Sequence, residues 1–170
     1  VFSQNPKLDA IQEIVEETDD KIVIFHDFVQ SGKLIEERLR KAKIRFASLN
    51  GSTVDKEGAI RSFQKDLRCR VFVVNSASGG FGLNLQVARI VIFYESPLSY
   101  IVRRQAEKRV HRTGQLHKVI IYDLLMKYSI EEKILGYIQE GEDAFQKIIE
   151  GRTKDVKIRT SSKKRLGGKD

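Results

Sequence analysis

Residues 70–94 read RVFVVNSASGGFGLNLQVARIVIFY. Two β-branched, apolar runs, Arg70 to Val74 and Ile90 to Tyr94, stand at either end of a glycine-rich segment. Runs of four or five apolar residues without alternation have strand length and no polar face, which suits a parallel sheet buried on both sides. Between them, Ser76 to Gly82 carries small hydroxyls and glycines. Such a backbone can approach a phosphate closely and expose N–H groups as an anion-binding nest.

Upstream, Lys21 to Phe25 and Ile44 to Leu49 read as two more strands, the second ending at the turn signal Asn50-Gly51. Helical spacing links Leu8, Ile11, Ile14 and Val15, then Leu34, Ile35 and Leu39, then Ile60 and Phe63. Downstream, Ser99 to Arg112 reads as a basic helix and Lys118 to Leu125 as a fifth strand. A long final helix uses Ile130, Ile134, Leu135 and Ile138 and extends through Phe145, Ile148 and Ile149. Strands separated by helices predict an α/β fold, a mainly parallel sheet flanked by helices with right-handed crossovers. Ligands in such sheets meet the loops at the strands' carboxyl ends, which singles out the loops after Phe25 and Val74 and the turn at Pro97. The glycine loop and the basic helix are expected to share one sheet edge.

At 170 residues, 41% apolar and 32% charged, the chain has the size and composition of one globular domain. Its longest apolar runs fall far short of the roughly 20 residues that cross a bilayer, and no basic-then-apolar leader opens it. The single cysteine, Cys69, excludes an internal disulfide. The net charge of +8 is uneven. Residues 98–118 hold six Lys and Arg against one acidic residue, and residues 151–170 hold eight against two. Basic patches point to an anionic partner. The reading is a domain over 1–150 followed by a basic, flexible tail over 151–170.

Several chemistries lack their parts. Gly32-Lys33-Leu34 has neither the upstream glycine nor the hydroxyl of a phosphate-binding P-loop. His26, His111 and His117 have no metal-site spacing, so no metal is expected. What is present is concentrated in residues 105–115, QAEKRVHRTGQ. Arg109 and Arg112, three apart, project from one helical face, with Gln105 four residues before Arg109. Two guanidinium forks on one face suit a polyphosphate, since each stays charged and bonds oxygens bidentately.

Together these segments resemble the C-terminal RecA-like lobe of Swi/Snf-type (Snf-two) DNA-dependent ATPases of helicase superfamily two. Residues 75–85 are similar to that family's motif V, and residues 105–115 to its motif VI, with Lys108 where the family has Asp. Lys21 to Phe28 looks like motif IV, Leu49 to Thr53 matches L-x-G-S-T, and Ser129 to Leu135 resembles the S/T-I-E-E-K-I brace. Two further departures are Glu95-Ser96 where the family often has Trp-Asn, and Arg103-Arg104 where many members are acidic.

The resemblance implies a RecA-like three-layer sandwich and a two-lobed ATP-dependent DNA helicase or translocase. ATP and Mg would be bound mainly by a separate N-terminal lobe. Arg109 and Arg112 would be catalytic, with Arg112 the main arginine finger. Gln105, Gly82 and Asn84 would bind nucleotide, and Ser76, Ser78, Gly79 and Gly80 the DNA phosphate backbone without reading sequence. Partners would then be DNA and the N-terminal lobe, with no membrane, in the cytoplasm or nucleoid, or the nucleus in a eukaryote. The competing reading is a non-catalytic RecA-like module that docks nucleic acid or a protein partner.

Overall fold

A computed structural model of the chain describes residues 5–78 and 82–150. The elements in order are α1 Pro6–Glu16, β1 Ile22–His26, α2 Val29–Lys41, β2 Phe46–Leu49 and α3 Lys56–Lys65. They continue with β3 Val71–Asn75, β4 Ile90–Phe93, α4 Tyr100–Val110, β5 Ile120–Asp123 and α5 Ile130–Gln139. Several helix starts carry their own signals. Asn5 accepts from the Lys7 and Leu8 amides ahead of Pro6, Asp55 accepts from the Gly58 amide, and Ser129 accepts from that of Glu131.

The five strands form one sheet in the order β2-β3-β1-β4-β5, every pair parallel. The two-residue period of each strand sorts its apolar side chains onto opposite faces. Val23, Phe25, Phe72, Val74, Val91 and Phe93 face Phe63 of α3 and Ala106 and Val110 of α4. Ile22, Ile24, Val71, Val73 and Ile92 face Leu8, Ile11 and Val15 of α1 and Ile35 and Leu39 of α2. The result is a three-layer α/β sandwich of RecA-like type. Phe25 and Phe93 stack at 5.1 Å between ring centroids across β1 and β4.

Three boundaries differ from the sequence reading. The basic helix stops at Val110, and its cap residue His111 leaves the helical region at φ −92, ψ 79, so Arg112 lies in the loop beyond. The final helix is not continuous. It ends at Gln139, Gly141 turns the chain at φ +81, and residues 144–150 form a separate helical stretch. A left-handed backbone after a helix is where glycine ends it at little steric cost. The fifth strand is also not buried: it is an edge strand with Ile120, Ile121 and Tyr122 exposed. The basic tail, 151–170, lies outside the described residues.

Phe25→Ala removes a fully buried ring from the centre of the sheet and is expected to cost about 3–5 kcal/mol. Urea denaturation checks this, and a loss below about 1 kcal/mol would contradict the stacked core.

Candidate functional site

The crossover between β3 and β4 runs from the carboxyl end of the sheet back to its amino end. On the way its backbone meets the end of α4. The Leu85 amide donates to the Arg109 carbonyl at 2.9 Å. The Gln115 side-chain amide donates to the Gln86 carbonyl at 2.8 Å, and the Gln86 amide group returns to the Thr113 carbonyl at 3.2 Å. These bonds stitch the last turn of α4 and the loop after it to the residues leading into β4.

A cleft of about 610 Å³ opens along this seam, lined by Gly82, Gln105, Lys108, Arg109, His111 and Arg112 together with Leu83 and Thr113. Three of these are cations, and none of the lining residues among those described is a carboxylate. Arg109 is half-buried, and its Nη1 is buried with no hydrogen-bond partner among the described residues. Burial alone pushes this guanidinium down from its usual pKa, with no acidic neighbour to offset it. A Cβ added at Gly82 would meet nothing within 4 Å, so packing does not demand the glycine there, and a side chain would only fill the cleft. The donors converge as hydrogen-bonding cations and an amide, a set that suits phosphate oxygens and not a divalent cation. No group of three His, Cys, Asp or Glu that could hold a metal occurs among the described residues.

The sequence-predicted residues thus separate. Gln105, Arg109, Arg112 and Gly82 come together, although Arg112 does so from the loop rather than from the helical face. Asn84 is exposed and shapes the crossover instead of lining the cleft: its Oδ1 accepts from the Gln86 amide and its carbonyl from Gln64. The cleft is not at the strands' carboxyl ends, where the sequence reading put it. A helix that crosses back over a parallel sheet runs antiparallel to the strands, so the end of α4 lies near their amino ends.

A second cleft, of about 490 Å³, does sit at the carboxyl rim and includes His26, Asn50, Ser52, Asn75 and Ser78. Ser76 is 1% exposed and its hydroxyl faces the His26 carbonyl, so it does not present a donor to a phosphate; it fixes the rim from within. Ser78 is half-buried at the cleft, and Gly79 and Gly80 lie outside the described residues. Asn75 donates to the Asp27 carbonyl at 2.9 Å, and Glu95 accepts from the Asp27 amide at 3.0 Å and from the Ser31 hydroxyl. Burial holds the Asp27 carboxyl above the usual carboxylate range, against a hydrogen bond from Ser76.

Two residues escaped the sequence reading. Glu95 staples β4 to the loop after β1. Arg103 is 4% exposed and is held by Asp123 at 2.6 and 3.1 Å and by Glu107 at 2.8 Å, its guanidinium 3.5 Å from the Phe93 ring centroid. The i,i+4 spacing of Arg103 and Glu107 was the one available signal; Asp123 is reachable only once β5 is placed beside β4.

Two outcomes follow from these environments. Arg109→Met removes a desolvated, uncompensated charge. Stability is expected to hold or rise by about 1 kcal/mol, and thermal unfolding in pyrophosphate should raise the Tm of the unaltered chain but not of the variant. A clear loss of stability, or an equal pyrophosphate shift in both, would contradict the anion cleft. His26 is buried beneath Gly32, and burial holds its pKa below the usual 6.5. The unfolded chain therefore binds the proton first as pH falls, so His26 favours folding above about pH 6.5 and that contribution is lost on acidification below it. Denaturation midpoints measured from pH 7.5 to 5 should show this loss, and His26→Phe should lessen it.

Comparison with known proteins agrees with this architecture. Residues 6–114 match the helicase conserved C-terminal domain. The chromatin-remodeling ATPase INO80 of Candida glabrata is 31% identical over 157 residues, covering 91% of this chain and 11% of that protein. The Saccharomyces cerevisiae INO80 is 30% identical over 156 residues, covering 91% and 10%. The crystal structure of the C-terminal part of the Fun30 ATPase domain superposes with a TM-score of 0.73 at 34% identity, covering 79% of this chain and 46% of that one. The chain thus spans about a tenth of the length of the curated relatives it matches. On the domain match and these likenesses, the chain belongs to the helicase C-terminal domain family, as a Snf2-type C-terminal lobe.

Proposed function

We propose that this lobe forms one wall of an ATP site whose other wall, with the P-loop and the acidic residues for Mg, is a preceding RecA-like lobe, and that the pair translocates on DNA. The observation that carries the reading is the Arg109 nitrogen that has no partner among the described residues, in a cleft whose described lining holds no carboxylate and includes Gln105, Lys108 and Arg112. ATP supplies the triphosphate whose oxygens would take those donors, and Mg would neutralise it from the other side. The residues of this chain divide the work by where they sit. Arg109, seated in the last turn of α4, is suited to hold phosphate oxygens before reaction. Arg112, exposed in the loop, is suited to the finger role, stabilising charge that builds only in the transition state. Gln105 adds an uncharged donor.

The rim cleft around Ser78 and Asn50, with Gly79 and Gly80 adjoining in sequence, is the proposed contact for the DNA backbone; Ser76 and Asn75 position that loop. Ser78 lines the rim cleft and Gly82, four residues later in the sequence, lines the other, a closeness along the chain that would join the two events. Contacts of this type orient DNA without reading sequence. The chromatin-remodeling relatives favour a nuclear setting and give a nucleoid one no support. No helix among the described residues is long and apolar enough to cross a membrane.

In the two-lobed protein, Arg112→Ala is expected to lower kcat for DNA-stimulated ATP hydrolysis by about 10³-fold or more, with KM nearly unchanged. Arg109→Ala should raise KM as well. Steady-state ATPase assays check both, and turnover within about tenfold of the unaltered enzyme in Arg112→Ala would reject the finger role. The 170-residue chain alone is expected to hydrolyse no ATP.

A further inference from the structure

We propose that buried Lys7 and half-buried Glu131 form a latch that sets the position of α5 against α1, and that both are positioning residues. Lys7 is 8% exposed, although it stands in the first turn of a helix and has a charge that favours water. Its ammonium donates to the Tyr94 carbonyl at 2.8 Å and to the Glu131 carboxylate, and lies 5.2 Å from the Tyr94 ring centroid. The other oxygen of Glu131 accepts from the Met126 amide at 2.8 Å, so the carboxylate is pinned on both sides. Asn5, which caps α1, also donates to the Tyr94 hydroxyl at 2.9 Å. Three separate parts of the chain converge there: the start of α1, the end of β4 and the first turn of α5.

The apolar core does not do this job. Within α5 only Ile138 is buried, and Ile130, beside Glu131, is 53% exposed. A cleft of about 920 Å³ lies between α1, α2 and the start of α5, bordered by Leu34, Arg38, Tyr94 and Met126 as well as the latch itself. With so little packing beneath it, the first turn of α5 is held to α1 chiefly by a charge pair 124 residues apart in sequence. A pair of this kind is directional: removing Glu131 leaves the Lys7 ammonium buried without a counter-charge, and removing Lys7 leaves Glu131 half-buried with only the Met126 amide. The helicase domain match ends at residue 114, so the latch fastens a segment beyond that domain to its first helix. In the two-lobed reading, on which only this consequence rests, a displacement of the chain ahead of α1 would be carried directly into α5.

The test is hydrogen exchange on the 170-residue chain, with no nucleotide or DNA present, so its result stands apart from the ATP-site reading. Lys7→Met and Glu131→Gln should each reduce protection of the α5 amides by about tenfold or more while β1 and β3 amides change little. The double variant should lose no more than the worse single one, since both remove the same interaction. Glu131→Gln keeps the side-chain shape and carries the test alone if Lys7→Met does not fold. Unchanged α5 protection, equal loss across the sheet, or single effects that multiply in the double variant would each overturn the latch.

Discussion

Burying part of a guanidinium without a counter-charge costs stability, and Arg109 is half-buried in that condition. Its Nη1 is buried and unpartnered among the described residues, in a cleft whose described lining includes Lys108 and Arg112 but no carboxylate. The cost is borne by the backbone seam that pins the end of α4 to the residues leading into β4 through Leu85, Gln86 and Gln115. The seam and the charge without a partner among the described residues meet at the same end of α4, and in the proposed function a polyanion would relieve that charge.

Arg103, six residues earlier on the same helix, shows the contrasting outcome. It is more deeply buried, yet two carboxylates and an aromatic face satisfy it. Desolvation with full compensation makes a structural clamp between α4 and β5; Arg109, desolvated without it, is the group proposed to bind phosphate. Glu107 is engaged by Arg103 and Arg104, which keeps the nearest acidic side chain of the helix occupied on the far side from the cleft. The two arginines are alike in composition and differ only in what surrounds them.

That contrast marks how far the sequence could be read. The three inner strands, β3, β1 and β4, were legible because unbroken apolar runs have no polar face to expose, and the order of strands and helices gave the α/β sandwich. β5 carries the same kind of run yet lies at the edge, since strand order is set by packing partners and not by local pattern. That Gln105, Arg109 and Arg112 share one cleft was legible from spacing, but their place at the amino ends of the strands was not, because it depends on the direction of a crossover helix. Ser76 and Asn84 look alike as small polar loop residues. Only the fold shows that one is turned inward to His26 and the other builds the crossover turn. Glu95 and the Lys7–Glu131 pair were invisible for the same reason: each joins segments far apart in the chain.

The most direct measurement of the central claim is an NMR titration of the chain with a non-hydrolysable ATP analogue, following the arginine side-chain Nε–H signals. The account predicts that Arg109 and Arg112 shift with a common saturation curve while Arg103 stays fixed in its carboxylate clamp. An unmoved Arg109, or shifts spread evenly over all surface arginines, would contradict it.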